Sequence, residues 1–219
     1  MTRLAIFDCD GTLVDSQANI CRSVEEAFVA TRLDPPDRNA IRRIVGLSLV
    51  EAMRALTPDG DAALHVTLAN EYRRVAYAIR TSGGIANEPL YDGIAEVLEM
   101  LTADGWLCGV ATGKSDRGLA HVLAHHGVAH HFVTLQTADR HPSKPHPAML
   151  AAAIAEAGVT PEASVMIGDT SFDMEMARAG GARAVGVAWG YHPPQELLTA
   201  GAHVVAAAVR DLPRHLEAA

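Results

Sequence analysis

The sequence predicts an α/β protein in which a doubly wound parallel sheet carries a small all-α domain, inserted after the first strand. Between residues 92 and 187, short apolar runs alternate with helical patterns, which is typical of parallel strands covered by helices on both faces. Residues 38–80 instead contain helical patterns and no convincing strand. We therefore predict a core domain formed by residues 1–15 and 89–219, and a helical domain formed by residues 16–88.

The individual elements follow in order along the chain. The apolar run at residues 4–7 predicts the first strand, and the apolar spacing over residues 16–32 predicts a helix. Inside the insert, further helical patterns cover residues 49–56 and 64–79. In the remainder of the core domain we predict helices at residues 92–104, 115–126, 147–157 and 172–179, and strands at residues 106–111, 131–135, 163–167 and 183–187.

The composition excludes several classes of protein. The chain has 219 residues, of which 49% are hydrophobic, enough for a core domain with a small insertion. A net charge of −8 disfavours nucleic acid and anionic membrane surfaces as partners, and no run of about 18 apolar residues predicts a membrane span. The three cysteines lack metal-ligand spacing, so we expect free thiols and a cytoplasmic location. The sequence does not predict the oligomeric state.

Acidic residues stand at the end of the first strand. Asp8 and Asp10 follow the apolar run directly, and Gly11 allows the backbone to turn sharply. Because alternate residues of a strand share a face, Asp8 and Asp10 should point to the same place while Cys9 points away. Crowded carboxylates are costly when ionised, so a metal ion or a shared proton is expected nearby. The alternative, an acidic cap for the next helix, needs only one of the acids.

Polar residues also follow later strands. Thr112-Gly113-Lys114 comes after the second strand, Asp169 and Asp173 come after the strand at residues 163–167, and Lys144 precedes the helix between them. Ligands of open parallel sheets bind beyond the carboxyl ends of the strands, so these residues should converge with the acids of the first strand. A turn, a surface cation or a helix cap would explain each residue singly. Together they predict a functional site.

Lysine is rare in this chain. Lys114 and Lys144 are the only two lysines, against sixteen arginines. A compact ammonium on a flexible stem can reach both a carboxylate and a phosphate, whereas a guanidinium fork needs more room. We predict a specific role for Lys144. Lys114, one residue further into its helix, is predicted to be peripheral.

The segment Asp8-x-Asp10-Gly11-Thr12-Leu13-Val14-Asp15 resembles the first motif of the haloacid dehalogenase superfamily, in the form that its phosphatases carry. The four polar segments match the four motifs of that superfamily in order, from residue 8 to residue 173. The resemblance implies a Mg²⁺-dependent phosphatase that works through an aspartyl-phosphate intermediate.

The same resemblance implies a role for each site residue. Asp8 would be the nucleophile, and Asp10 would be the general acid and later the general base. The Mg²⁺ ligands would be Asp8, the Asp10 backbone carbonyl and Asp169, with Asp173 binding directly or through another ligand. The phosphate-binding groups would be the Thr112 hydroxyl, the Gly113 N–H and Lys144.

Several branches of the superfamily can be separated by sequence. Asp10 argues against the dehalogenases, which lack an acid at that position. The absence of lysine from residues 16–88 excludes the phosphonate hydrolases, and the absence of membrane spans excludes the P-type ATPases. The helical insert resembles the cap of the phosphoglycolate-phosphatase-like group. A β-phosphoglucomutase-like phosphotransferase remains an alternative.

The insert is expected to close over the site as a lid that reads the leaving group. Its segment Val45-Gly46-Leu47-Ser48-Leu49 resembles a recurrent cap segment of the phosphoglycolate-phosphatase-like group. We predict Arg42, Arg43 and Gly46 as candidates for contact with an anionic substrate, although a solvated helical face would also explain the two arginines. The expected substrate is a small phosphorylated metabolite, for which the resemblance suggests phosphoglycolate.

A catalytically silent phosphate-binding protein is a further alternative. The intact set of catalytic residue types, from Asp8 and Asp10 to Thr112, Lys144 and Asp169, counts against it.

Overall fold

The computed structural model describes residues 2–217, and it contains one six-stranded parallel sheet in the order β3-β2-β1-β4-β5-β6. The doubly wound parallel fold is therefore confirmed. The strands are β1 (Arg3–Phe7), β2 (Trp106–Thr112), β3 (Phe132–Thr137), β4 (Ser164–Gly168), β5 (Arg183–Val187) and β6 (Val204–Ala206). The helices are α1 (Gln17–Ala30), α2 (Arg38–Arg43), α3 (Leu49–Leu56), α4 (Ala62–Thr81), α5 (Ile94–Ala103), α6 (Asp116–His125), α7 (Ala148–Ala157), α8 (Ser171–Ala179), α9 (Pro194–Ala200) and α10 (Leu212–Glu217).

The alternation of β1 side chains explains why helices cover both faces of the sheet. Ala5 and Phe7 pack on one face against a buried cluster built largely from α5, α6 and α10. Leu4 and Ile6 pack on the other face against a cluster from α7, α8 and α9. Because β1 is buried on both faces, its sequence is uniformly apolar rather than alternating.

The predicted boundaries differ from the observed ones mainly at element ends. The predicted strand at residues 131–135 begins instead at Phe132, because residues Ala129–His131 form a 3₁₀ turn. Helix α9, strand β6 and helix α10 were not predicted. They are short, and β6 has only three residues, too few to show a period.

Helices α1 to α4 lie between β1 and β2 and have a buried apolar cluster of their own. Its members come mostly from α1, α2, α3 and α4 and include Ile20, Val24, Phe28, Ile41, Met53 and Leu68. Tyr191 of the core domain joins it. We propose that residues 16–88, hereafter the cap, form the separate domain that the sequence predicts. Across residues 2–217, none of the helices combines the length and apolarity that a membrane crossing requires.

We predict that the cap depends on this cluster for stability. Leu68 is fully buried, so Leu68→Ala removes transfer free energy and leaves a cavity, which costs about 2–5 kcal/mol. Val66 lies on the same helix with its side chain exposed, so Val66→Ala should cost less than about 0.5 kcal/mol. Urea unfolding followed by circular dichroism measures both. Equal midpoints for the two variants would contradict a cooperative cap core.

Candidate active site

The polar residues predicted from the sequence converge at one edge of the sheet. Strands β2, β1 and β4 are neighbours, and their carboxyl ends lead into Thr112, Asp8 and Asp169 respectively. Lys144 lies on the loop between β3 and α7, and Asp173 lies in the first turn of α8. These five side chains are all buried. Parallel strands end at the same edge, so the topology brings together residues that are far apart in sequence.

Asp8 has one engaged carboxylate oxygen and one unengaged oxygen. Its Oδ1 accepts a hydrogen bond from the Cys9 N–H at 2.7 Å and lies 3.0 Å from Lys144 Nζ. Its Oδ2 is buried and has no hydrogen-bond partner among residues 2–217. Burial raises the pKa of Asp8 to about 7, with Lys144 opposing the shift and Asp173 and Asp10 adding to it.

Lys144 joins two of the buried acids. Its Nζ lies 2.6 Å from Asp173 Oδ1 and 3.0 Å from Asp8 Oδ1, and its side chain is completely buried. Burial alone would lower the pKa of Lys144, but the carboxylates of Asp173 and Asp8 raise it overall. The ammonium therefore stays charged and offsets the negative charge that burial would otherwise penalise.

Asp169 and Asp173 are oriented by hydrogen bonds from their own loop and its neighbours. Asp169 accepts from the Thr12 hydroxyl at 2.8 Å and from the Tyr191 N–H at 2.9 Å. Asp173 accepts from the N–H and hydroxyl of Thr170, which makes it a helix cap as well as a partner of Lys144. Burial, together with Asp8 and Asp173, raises the pKa of Asp169 well above its usual value.

The acidic cluster fits a hard divalent cation. Asp8, Asp169 and Asp173 each offer a carboxylate oxygen, and these oxygens lie within 4.8 Å of one another. A donor set made only of buried carboxylate oxygens suits Mg²⁺ better than a softer metal. Like charges buried together need such compensation.

The carboxylate of Asp10 has different partners. The Ser16 hydroxyl donates to its Oδ1, and Lys114 Nζ lies 2.8 Å from the same oxygen. The prediction that Lys114 is peripheral is therefore wrong: its side chain is only 14% exposed. Burial would lower the pKa of Lys114, but Asp10 and other neighbouring acidic groups raise it overall. The scarcity of lysine, which drew attention to Lys144, was the signal for Lys114 too.

At Gly113 the backbone of the cap lies close to the backbone of the core. A Cβ at Gly113 would lie 2.5 Å from the Leu47 carbonyl oxygen and 2.7 Å from that of Gly46. Only glycine leaves room for this backbone contact, which places the predicted cap segment directly over Thr112-Gly113. Gly46 itself has a φ of +97°, which favours glycine there as well.

A cavity of about 90 Å³ lies between the cap and the core. Asp10, Gly113 and Lys114 line its core side, and Gly46 lines its cap side. The rest of its surface is mainly apolar, with polar additions from α4, namely Tyr72, Arg73 and Arg80. These three residues were not predicted from the sequence, because the amphipathic pattern of a helix does not indicate which part of the protein its polar face contacts.

Arg42 and Arg43 do not line this cavity. Arg43 instead forms a bidentate ion pair with Glu196 of α9, with an Nη1–Oε2 distance of 2.5 Å. Arg43 thus links the cap to the core domain. The part of the prediction that placed these two arginines against the substrate is not supported by their positions, whereas Gly46 does border the cavity.

Comparison with known proteins agrees with this geometry. The family described as haloacid dehalogenase-like hydrolase matches residues 5–187. "Probable phosphatase IndB" of Dickeya dadantii is 32% identical over 215 residues, which cover 94% of this chain and 89% of that protein. Tyrosine-protein kinase PtkA of Mycobacterium tuberculosis is 35% identical over 190 residues, which cover 86% of this chain but only 63% of that protein.

A phosphoglycolate phosphatase of Pseudomonas putida is 29% identical over 197 residues, covering 88% of this chain and 71% of that protein. Among solved structures, a predicted phosphatase from Clostridium acetobutylicum has a TM-score of 0.90 at 24% identity, with complete coverage of both chains. At this level of identity, the structural likeness concerns the fold.

The raised pKa of Asp8 predicts how stability depends on pH. The folded carboxyl has a pKa of about 7 against an ordinary value of 3.8, so the folded state holds its proton between those two pH values while the unfolded state does not. Stability contributed by the protonated carboxyl is therefore lost as the pH rises from 5 to 8. Asp8→Asn cannot ionise, so in chelator it should gain roughly 2–3 kcal/mol relative to the parent protein over that range. Urea unfolding at both pH values measures this gain, and a pH-independent difference would contradict it.

Proposed function

The chain belongs to the haloacid dehalogenase-like hydrolase family, and on that basis we propose that it is a Mg²⁺-dependent phosphomonoesterase acting on a small phosphorylated metabolite through an aspartyl-phosphate intermediate. The observation that supports this most directly is the Asp8 carboxylate. One of its oxygens is fixed by the Cys9 N–H and Lys144, and the other has no partner in the described part of the chain. An oriented carboxylate with one unengaged oxygen is what nucleophilic attack on phosphorus requires.

In the proposed first step, Asp8 Oδ2 forms a bond to phosphorus while the bond from phosphorus to the leaving oxygen breaks. Asp10, two residues further along, donates its proton to that oxygen, so the leaving group departs as a neutral hydroxyl. Asp10 must therefore be protonated when the substrate reacts. Lys144, the Thr112 hydroxyl and the Gly113 N–H hold the other phosphate oxygens and balance their charge. Mg²⁺, held by Asp8 and Asp169 with Asp173 beside them, would supply further charge neutralisation when bound.

In the second step, a water molecule attacks the phosphorus of the acyl phosphate. Asp10, now ionised, accepts a proton from that water, and the bond from phosphorus to Asp8 breaks. Phosphate leaves, Asp8 returns as a carboxylate and Asp10 regains its proton. Asp10 lies only two residues after Asp8, so the Asp10 carboxyl can act as the acid of the first step and as the base of the second.

A phosphotransferase is the second candidate, favoured by the similarity to PtkA. It would share the first step and differ in the second, where a hydroxyl of an acceptor replaces water. The 90 Å³ cavity has Asp10 on its wall and could hold either a leaving group or a small acceptor. Release of free phosphate in the absence of any added acceptor favours the phosphatase.

The thiols are consistent with the proposed cytoplasmic location. Cys9, Cys21 and Cys108 are all free and buried. Such cysteines fit a reducing compartment, where no disulfide is needed for stability.

We predict that Asp8→Asn abolishes the hydrolysis of p-nitrophenyl phosphate, because an amide oxygen is a poor nucleophile in an otherwise unchanged shape. Steady-state release of phosphate with Mg²⁺, compared with release in excess chelator, measures it. Asp104→Asn, at an exposed position, is the control and should keep the parent kcat. If Asp8→Asn keeps a tenth of the parent kcat, or if the parent is fully active in chelator, the proposed mechanism is wrong.

We further predict that Arg80 reads an anionic leaving group. Arg80 lines the cavity and makes no ion pair with a carboxylate in residues 2–217. Arg80→Gln should raise the KM for phosphoglycolate about tenfold, since it removes one charge-assisted contact, and should change the KM for acetyl phosphate less than about twofold. Arg74→Gln is the matched control, because Arg74 is on the same helix but pairs with Glu71 at 2.7 Å. Equal effects of the two variants would show that Arg80 does not take part in substrate recognition.

A further inference from the structure

Lys114 is within reach of a second carboxylate besides Asp10. Its Nζ is 2.8 Å from Asp10 Oδ1 and 3.9 Å from Glu88 Oε2. Only 5% of Glu88 is exposed to solvent, and its Oε2 has no hydrogen-bond partner in the described part of the chain. An unsatisfied buried carboxylate oxygen is costly, so its position next to a buried ammonium calls for a reason.

Glu88 lies where the chain returns from the cap to the core. Its Oε1 accepts a hydrogen bond from Asn19 Nδ2 at 2.8 Å, and Asn19 also donates to the Gly84 carbonyl oxygen at 2.9 Å. Asn19 is in the first turn of α1, directly after the first crossing, where the chain passes from the core into the cap. The carboxylate of Glu88 thus connects both crossings between cap and core, with one oxygen left over on the side of Lys114.

There is space for the ammonium to move. A second cavity, of about 20 Å³, is lined by Glu88, Lys114, Asn19, Tyr72 and Arg80 together with neighbouring apolar groups. A volume of this size is close to that of one small polar group or water molecule. The four-carbon stem of lysine can rotate without any change in the backbone.

The proposed reaction gives a reason for such a movement. Asp10 Oδ1 is occupied by Ser16 and Lys114, whereas the reaction needs the Asp10 carboxyl to hydrogen-bond the leaving oxygen. A rotation of Asp10 that presents its carboxyl to the leaving oxygen would take Oδ1 away from Lys114. A buried charge left without a partner is strongly destabilising. The orphaned oxygen of Glu88 is the nearest replacement.

We propose that Lys114 exchanges partners during each catalytic cycle, pairing with Asp10 at rest and with Glu88 while Asp10 engages the substrate. Glu88 is then a positioning residue: it acts on the reaction through Lys114 and touches no reacting atom. Since Glu88 is on the return crossing, the exchange also connects the Asp10 side chain to the hinge of the cap. This inference rests on the proposed function, in which Asp10 transfers the proton.

The first experiment does not depend on enzymatic activity. Because the chain has only two lysines, lysine-selective ¹⁵N labelling gives two ammonium signals, and Lys114→Met assigns them. Asp10→Asn removes the resting partner, so the Lys114 signal should shift yet stay protected from exchange with water, because Glu88 takes over. In Asp10→Asn/Glu88→Gln the protection should fall at least tenfold. Equal protection in the two variants would overturn the proposal, whatever the enzyme's substrate is.

The second experiment separates partner exchange from a hinge role. Glu88→Gln keeps the oxygen that accepts from Asn19 and removes the charge, so kcat on p-nitrophenyl phosphate should fall about tenfold while KM changes less than about twofold. Adding Lys114→Met removes the ammonium that needs the partner and should restore kcat at least threefold.

Asn19→Ala is the control for the hinge, because it breaks the link between the crossings and leaves both charges in place. Its effect on kcat should not be relieved by Lys114→Met. If Lys114→Met fails to relieve Glu88→Gln, or relieves Asn19→Ala equally, Glu88 has only a structural role. An inactive parent protein would refute the proposed function, and the ammonium signals would still decide the partner exchange.

Discussion

The whole sheet edge depends on one buried ammonium. Asp8, Asp169 and Asp173 lie together with their carboxylate oxygens within 4.8 Å, and all three side chains are buried. Lys144 contacts two of these acids at 3.0 and 2.6 Å, and it is itself completely buried. Without it, burial and mutual repulsion would disfavour the ionised acids. The pair also fixes geometry: Lys144 occupies one oxygen of Asp8 and leaves the other available.

The second lysine has a contrasting environment. Lys144 is held between two acids that stay in place, so its position is determined. Lys114 has one close partner, Asp10, and one distant partner, Glu88. The two lysines of this chain thus have different surroundings: Lys144 lies between Asp8 and Asp173, and Lys114 lies between Asp10 and the more distant Glu88.

Contacts between the cap and the core differ in how much they constrain the structure. Near the site, the backbone of Gly46 and Leu47 packs on Gly113 so closely that no side chain fits. Further out, Arg43 pairs with Glu196 across the surface. An exposed ion pair contributes little free energy. The close backbone contact at Gly113 lies on the wall of the cavity, whose lining comes from both the cap and the core.

The sequence by itself determined the fold class and which polar residues of the core meet at one edge of the sheet. It could do so because apolar runs report parallel strands, and the residues after such runs must share one edge of the sheet, as Asp8, Thr112 and Asp169 do. Only the tertiary structure decided which cap residues face the site. Arg42 and Arg43 seemed suited to it by charge, yet Arg80 lines the cavity and Arg43 pairs with α9. The second carboxylate near Lys114, that of Glu88, is likewise brought beside it by the fold, from the far end of the cap. Local patterns report what a residue prefers, whereas its partners are set by how separate segments pack.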